Sequence, residues 1–557
     1  MVRTRRYCRE KLGAGIMTVS VQLGSGFADL SESISNLINI RFASRLSAGD
    51  ATLWGPDAQA EASVRLRWLN VLEEANDIVD QARQLRDELR ERGIHHVVLS
   101  GMGGSSLAPE LICQTARQPL TVLDSTHPDQ VSRALSEDLS ATVLVVSSKS
   151  GSTIETTSHR ELFTKAFADA GLNPADHIVV VTDPGSPLAA SAEEVGSQVF
   201  TADPNVGGRY SALTAFGLVP SILAGVDVEP LLEQAKTALE QISHDAPSNP
   251  ALQLGAALAS GIPEQFALVI APNPVSDVGL GQWIEQLIAE STGKEEAGML
   301  PVAVRGASPE SGEQFPAHAL RAWVPLSPSR DLTADEFAVT GELGSQFIVW
   351  EAAVTVLGAL LGINPFDQPD VESAKVAARN VLSDKQREPR PEIPLTDAPA
   401  VRIGGYQPEA SSTLKEEITA LIHQVVADSY LAIQAYVDRE SPAAPRYYAL
   451  RDELAAVLPV PVTLGFGPRF LHSTGQFHKG GPRVGVFLQI RDVPQEDIDI
   501  PQADTTFGAL IEAQADGDAQ VLLDLGRPVL ELRVFDSSVV FPLITEFVSE
   551  AERGAHS

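Results

Sequence analysis

Five short apolar runs, separated by stretches of helical periodicity, constrain this chain more than any other feature of its sequence. They are "HVVLSG" (96–101), "LTVLDS" (120–125), "TVLVVSS" (142–148), "HIVVVTD" (177–183) and "QVFTAD" (198–203). Each is continuously apolar and rich in β-branched residues, without polar alternation. Each therefore reads as a strand buried on both faces. Buried strands with helices between them require a parallel sheet wrapped by helices, an α/β domain.

A second series begins near residue 250. "FALVIAPN" (266–273), "LPVAVRG" (300–306) and "RAWVPL" (321–326) predict the strands of a second, related α/β domain. The proline-rich stretch 385–410 reads as a linker or a surface crossing. Beyond it a long helical stretch (411–437) is followed by the strands "VTLGFG", "VGVFLQI" and "VLELRVF". Pattern alone leaves open whether this tail is a third domain or completes the second sheet. The expected division has an N-terminal extension and arm over 1–60 and a first α/β/α domain over 61–240. A second α/β/α domain, rearranged and completed by the C-terminal tail, then spans 241–557.

The 557 residues leave room for two or more domains, each with its own core. Acidic residues outnumber basic ones 73 to 41, a net charge of −32. Such acidity argues against nucleic acid or an anionic membrane as partner and reads as a solubilising surface. The two cysteines, Cys8 and Cys113, are too few for a disulfide framework and unlike a zinc ligand set. The longest apolar run, "FIVWEAAVTVLGALLGI" (347–363), contains Glu351 and falls short of the ~20 apolar residues of a membrane span, so a buried helix is expected. The first sixteen residues are basic and lack an apolar signal core; Met17 is an alternative start. The expected location is the cytoplasm.

An acidic protein that handles an anion must gather positive charge and donors locally. "SSKSGSTIET" (147–156) does so: Ser148, Lys149, Ser150, Ser152 and Thr153 surround Gly151 between a strand and a helix. Hydroxyls, one ammonium and the free amides of a helix start suit a terminal phosphate. "GMGGSS" (101–106) is the partner turn, where Gly103 and Gly104 permit close backbone approach and Ser105 donates. It lacks the third glycine of the dinucleotide fingerprint, and no Walker loop occurs. Both loops follow strands of one sheet, at the end where such sheets bind ligands.

Other candidates lie further along. "GGRYSALTAFGLVP" (207–220) sets Arg209 on a turn before an apolar helix. There it either stabilises an oxyanion or pairs with a surface carboxylate. In "QWIEQLIAESTGKEEAGMLPV" (282–302), Gln286 and Glu290 are four residues apart on one helical face, just before a glycine turn. "LLGINPFDQPDVESAK" (360–375) ends in Lys375, and "GPRFLHSTGQFHKGGP" (467–482) carries His472, His478 and Lys479 in a glycine-rich loop. Histidine is the side chain suited to proton traffic near neutrality.

Together the strings "GMGGSS", "SKSGST", "GGRYS", "ESTGK", "NPFDQPDVESAK" and "HSTGQ", spread over roughly 95–485, resemble the motifs of glucose-6-phosphate isomerases. Their wording is most similar to the isomerase part of bifunctional transaldolase/glucose-6-phosphate isomerases, and no barrel-sized stretch for a transaldolase is expected. The resemblance implies two sugar-isomerase-type three-layer α/β/α domains with parallel sheets. It also implies a sugar phosphate as ligand, no cofactor, no metal and a homodimer. Gly104 and Ser105 then contact the sugar phosphate, and Ser148, Lys149, Ser150, Ser152 and Thr153 form its phosphate loop. Arg209 stabilises the enediolate, Gln286 contacts substrate and Glu290 is the base. Lys375 and His472 serve ring opening and substrate positioning. A non-catalytic sugar-phosphate-binding regulator, or an isomerase of another phosphosugar such as mannose 6-phosphate, is the alternative.

One departure stands out. The family's histidine motif normally precedes its lysine motif, whereas here the order is Glu290, Lys375, His472. A rearranged second domain explains this, with loop and following strand moved as a unit in "HSTGQFHKGGPRVGVFLQI". His318 in "FPAHAL" is the second choice for the histidine.

Overall fold

The computed structural model describes residues 19–272, 279–312, 315–324, 331–383, 392–404 and 413–555. The basic stretch 1–16, with Cys8 and Met17, lies outside these residues. Three sheets organise the described residues.

The first sheet realises all five runs of the first series. Its order is Thr121–Leu123, His96–Gly101, Thr142–Ser147, Ile178–Thr182, Gln198–Thr201, with every neighbour parallel. Numbered along the chain this is 2-1-3-4-5. Its direction of winding reverses between His96–Gly101 and Thr142–Ser147, and ligands of open α/β sheets bind at that point. The middle strands are inaccessible on both faces: Val98, Leu99, Val145, Val146, Val180 and Val181 are all fully buried. Burying each such side chain contributes roughly 1.5–3 kcal/mol.

The second sheet runs Leu300–Ala303, Ala267–Pro272, Ala319–Val324, Glu336–Thr340, Ser20–Leu23. Only the last of these is antiparallel to its neighbour. The N-terminal segment is thus more than an arm, because residues 20–23 form the outer strand of this sheet. The apolar run read as a buried helix is one: Leu343–Leu361 packs against Glu229–Ile242 and Pro250–Ser260. It is the single helix among the described residues long and apolar enough to cross a membrane, and 89% of its apolar window is buried.

The C-terminal strands do not complete the second sheet. They build a third, ordered Val462–Phe466, Tyr430–Tyr436, Gly485–Arg491, Val529–Val534, Val401–Gly404, Ile393–Pro394. The first four are parallel and the last two antiparallel. Its own core, from Leu395 to Ala551, gives the physical reason. Helices cover this sheet, so its strands have no need of a neighbouring edge. The stretch expected to be helical over 411–437 divides accordingly. Leu414–Ile422 is a helix with a complete capping box, Thr413 to Glu416. Tyr430–Tyr436 is a central strand, buried at every position, whose apolar run lacks the polar face of a surface helix.

The three units share apolar contacts. Phe266, Trp323, Tyr430, Phe477 and Phe487 join the second sheet to the third. Val98, Phe163, Ile500, Phe507 and Leu510 join the first to the third. Buried ion pairs cross the same boundaries. Glu310 takes a two-pronged bond from Arg451, with Nη1 to Oε2 at 2.8 Å. Arg439 and Arg469 converge on Glu110 and Asp124. Burial opposes ionisation of Glu110, but these two guanidinium groups outweigh it and hold the carboxyl down at about 2.

Candidate active site

The two glycine- and serine-rich loops follow the strands that flank the reversal point of the first sheet. At the first, Gly103 has φ +55°, and a Cβ there would lie 2.7 Å from Gln286 Nε2 and 2.8 Å from the His472 carbonyl oxygen. A Cβ on Gly104 would fall 2.0 Å from the Gly208 carbonyl oxygen. The glycines therefore admit protein: Gln286, His472 and the turn bearing Arg209 all press against this bend. Ser105 is buried beside them.

At the second loop Ser148 Oγ donates to Thr153 Oγ1 at 3.1 Å, and the hydroxyls of Ser150 and Ser152 lie 3.1 Å apart. Thr153 precedes the helix Ile154–Asp169 without capping it through its side chain. Lys149 is turned aside. Its ammonium donates to Asp183 Oδ2 at 2.7 Å and to the Pro204 carbonyl at 2.9 Å.

Arg209 is buried and bridges two domains. Its Nε donates to Ser291 Oγ (2.7 Å), Nη1 to Gln368 Oε1 (2.5 Å), and Nη2 to the Pro365 carbonyl (2.7 Å). Nη1 also lies 3.7 Å from Glu290 Oε2. Glu290 and Gln286 project together from the helix Leu280–Thr292, with Gln286 Nε2 3.4 Å from Glu290 Oε1 and 2.9 Å from the His472 carbonyl oxygen. His472 ends a short turn after the strand Val462–Phe466 of the third sheet, and its Nε2 lies 3.2 Å from Glu155 Oε1. Glu155 is the second residue of the helix that follows the serine-rich loop. An unbroken path of contacts thus runs from that loop through Glu155, His472 and Gln286 to Glu290 and Arg209.

Lys375 lies on the helix Val371–Ser383; its side chain is outside the described residues. The helix itself is tied to the histidine motif. Asp370 N–H donates to Gln476 Oε1 at 3.0 Å, and Gln476 Nε2 donates back to Asp370 Oδ2 at 2.7 Å. The lysine and histidine strings, in reversed order along the chain, are neighbours in space. His318, the second choice, faces elsewhere: its ring bonds the Glu264 carbonyl at 2.9 Å and pairs with Asp428 at 3.4 Å. His478 is a core residue against Tyr430, with burial pushing its proton affinity down to about 3. Lys479 pairs with buried Asp518 at 2.6 Å.

Several residues at the site carry no expectation from the sequence. Lys294 spends all three ammonium hydrogens on the loop that holds Arg209, donating to the carbonyls of Asn364 (2.7 Å) and Asp367 (2.6 Å) and to Asp367 Oδ1 (2.6 Å). Burial, and then the charge of Arg209, draw its ammonium down to about 8. Glu155, Lys294 and Gln476 stand inside the quoted strings, so their positions were visible although their partners were not. Gln514, which donates from Nε2 to Glu155 Oε1 at 2.8 Å, sits in an unremarkable helix with no local signal.

The family model described as phosphoglucose isomerase matches residues 57–297, from before the glycine turn to just past Glu290 and Lys294. A probable glucose-6-phosphate isomerase of Haloarcula marismortui is 29% identical over 369 residues, covering 56% of this chain and 83% of that one. One of Natronomonas pharaonis is 30% identical over 338 residues, covering 51% and 78%. A glucose-6-phosphate isomerase of a Cyanothece strain is 28% identical over 471 residues, covering 72% and 88%. Among solved structures, a hypothetical protein from Thermus thermophilus aligns with a TM-score of 0.55 at 26% identity, over 65% of this chain and all of that one. A glucose-6-phosphate isomerase from Chlamydia trachomatis shares the fold, with a TM-score of 0.51 at 21% identity over 65% of this chain and 86% of that one. By the extent of these matches, the chain belongs to the phosphoglucose isomerase family.

Proposed function

We propose that this protein is a glucose-6-phosphate isomerase, interconverting glucose 6-phosphate and fructose 6-phosphate through a cis-enediolate. The observation that carries the reading is the path of contacts joining the serine-rich loop to Glu290 across three domains. An aldose and its ketose differ by one proton moved between C1 and C2, and one carboxylate on one face can carry it. Glu290 fills that role, with Gln286 beside it on the same helix. Arg209, fixed by four oxygen acceptors, offers a cation to the enediolate oxygens without reorganising. His472, assisted by Lys375, opens the sugar ring. Ser148, Ser150, Ser152, Thr153 and the amides of the following helix hold the phosphate; Gly104 and Ser105 complete the cradle. Lys149 contributes charge from its pair with Asp183 rather than a direct contact. A proton is all that moves, so the reading calls for no redox cofactor and no metal. The same reading includes a cytoplasmic homodimer and, from the wording of the motifs, kinship with the isomerase part of the bifunctional enzymes.

The test couples fructose 6-phosphate turnover to a glucose-6-phosphate dehydrogenase. Wild type is expected to turn over. Glu290→Gln is expected to retain sugar-phosphate binding while losing about 10³-fold in kcat, the scale of a general base. Binding without turnover in both proteins overturns the reading in favour of a regulator.

A further inference from the structure

Glu155 is a buried carboxylate, 4% exposed, in direct contact with the ring of His472. A carboxylate in such surroundings is costly unless donors hold it. His159, one turn further along the same helix, brings no positive charge: burial drives its proton affinity down to about 4, and its ring bonds Ser100 and the Ser125 carbonyl. The donor comes from elsewhere in the chain. Gln514, on the helix Phe507–Asp524 of the third domain, points its amide nitrogen at Glu155 Oε1, the same oxygen that faces His472 Nε2. The orientation of that amide is itself fixed. Thr126 Oγ1, from the first domain, donates to Gln514 Oε1 at 2.6 Å, which leaves only the –NH₂ to face the carboxylate. Gln514 and Thr126 are both buried.

We propose that Gln514 is a positioning residue: it holds the Glu155 carboxylate so that His472 is fixed with its proton on Nε2, leaving Nδ1 to exchange the proton of the sugar ring. The inference rests on the isomerase reading of the site and adds to it a residue that acts through Glu155. A histidine whose one nitrogen is committed to a carboxylate presents the other in a defined state, and this commitment depends on the carboxylate staying in place. The third domain then supplies both the histidine and the group that sets its tautomer. The sequence is Thr126 to Gln514 to Glu155 to His472, and each link is a hydrogen bond between side chains.

The experiment uses the full chain and two variants, Gln514→Met, which keeps length and removes the donor, and Thr126→Val, which frees the amide to turn over. Two readouts are taken: kcat and KM with glucose 6-phosphate, and the ¹⁵N resonances of selectively labelled histidines, with His472 assigned by its loss in His472→Gln. Gln514→Met is expected to lower kcat by about tenfold or more, the scale of a hydrogen bond to a charged group, with KM changed less than about twofold. The His472 resonances are expected to move from a single Nε2–H form to a mixture. Thr126→Val is expected to do the same to a smaller degree. Wild-type kcat and an unchanged His472 tautomer in a folded Gln514→Met protein overturn the proposal. The tautomer is read without substrate, so absent wild-type turnover counts against the isomerase reading and leaves this inference to be judged by the resonances.

Discussion

The second and third sheets are built to one plan and used in opposite ways. Each arranges four parallel strands in the order 2-1-3-4, counted along its own segment of chain. Each then adds, beside the fourth, an antiparallel strand that comes earlier in the sequence: Ser20–Leu23 in one, Val401–Gly404 in the other. In the second, the candidate residues Gln286 and Glu290 stand on the helix after the first strand, with Lys294 just beyond its end. In the third, the candidate residues His472 and Gln514 follow the second and third strands, on a short turn and a helix. The scaffold does not say which strand ends meet; the docking does. Gly293, at the end of the Glu290 helix, shows how closely the two are joined. A Cβ there would lie 2.4 Å from Phe477 Cα, and Gln476 Nε2 donates to the Gly293 carbonyl at 2.8 Å.

The comparison breaks most readily at the ion pair between these two units. Arg451→Met leaves the buried Glu310 carboxylate without its two-pronged partner, and a loss of about 3–5 kcal/mol is expected. Thermal unfolding followed by calorimetry checks this, and a midpoint equal to wild type would show that the third unit is held by its apolar contacts alone.

A sharper division concerns which unit owns the histidine. His472→Gln is expected to lower turnover of glucose 6-phosphate by about 10²-fold, the scale of an acid–base group, whereas His318→Gln leaves it within about twofold. The opposite ranking in the coupled assay would return the role to the second unit and leave the third a structural appendage.

A further test concerns Lys294, whose pKa falls from 10.5 to about 8 on folding, chiefly through burial. Between pH 8 and 10.5 the unfolded chain keeps a proton that the folded chain has released, so stability rises with pH across this window. Below pH 8 both states are protonated and the cost of burying the charge is present in full. Lys294→Met is expected to flatten this rise. Denaturant curves that keep the wild-type slope in that window would identify another group as its source.

Much of this was legible in the amino-acid order because it depends on local chemistry. The five apolar runs specify a doubly covered parallel sheet, since strands without a polar face are stable only when buried twice. The glycine and serine strings mark the strand ends where such a sheet receives ligands, and Arg209, Gln286, Glu290 and His472 stand in strings of the same kind. What local chemistry misjudged shares one cause. Tyr430–Tyr436 adjoins a genuine helix, and an apolar run carries no period that tells a central strand from a buried helix. Ser20–Leu23 is four residues long, and only its partner Glu336–Thr340 makes it a strand. Gln514 has no signal because its side-chain partners, Thr126 and Glu155, lie 388 and 359 residues away.

The sequence by itself determined the class of fold, the strand ends where the loops lie, and the chemical types available there: a carboxylate, a guanidinium, an imidazole and a set of hydroxyls. Only the tertiary structure decided that the tail forms a third sheet, that Lys149 turns to Asp183, and that His472 reaches Gln286 and Glu155 from another domain. The physical reason is range. Burial patterns and turn residues act over a few positions and are written locally. Ion pairs, buried amides and the close approach of one backbone to another join residues hundreds of positions apart, and exist only once the three sheets have packed together.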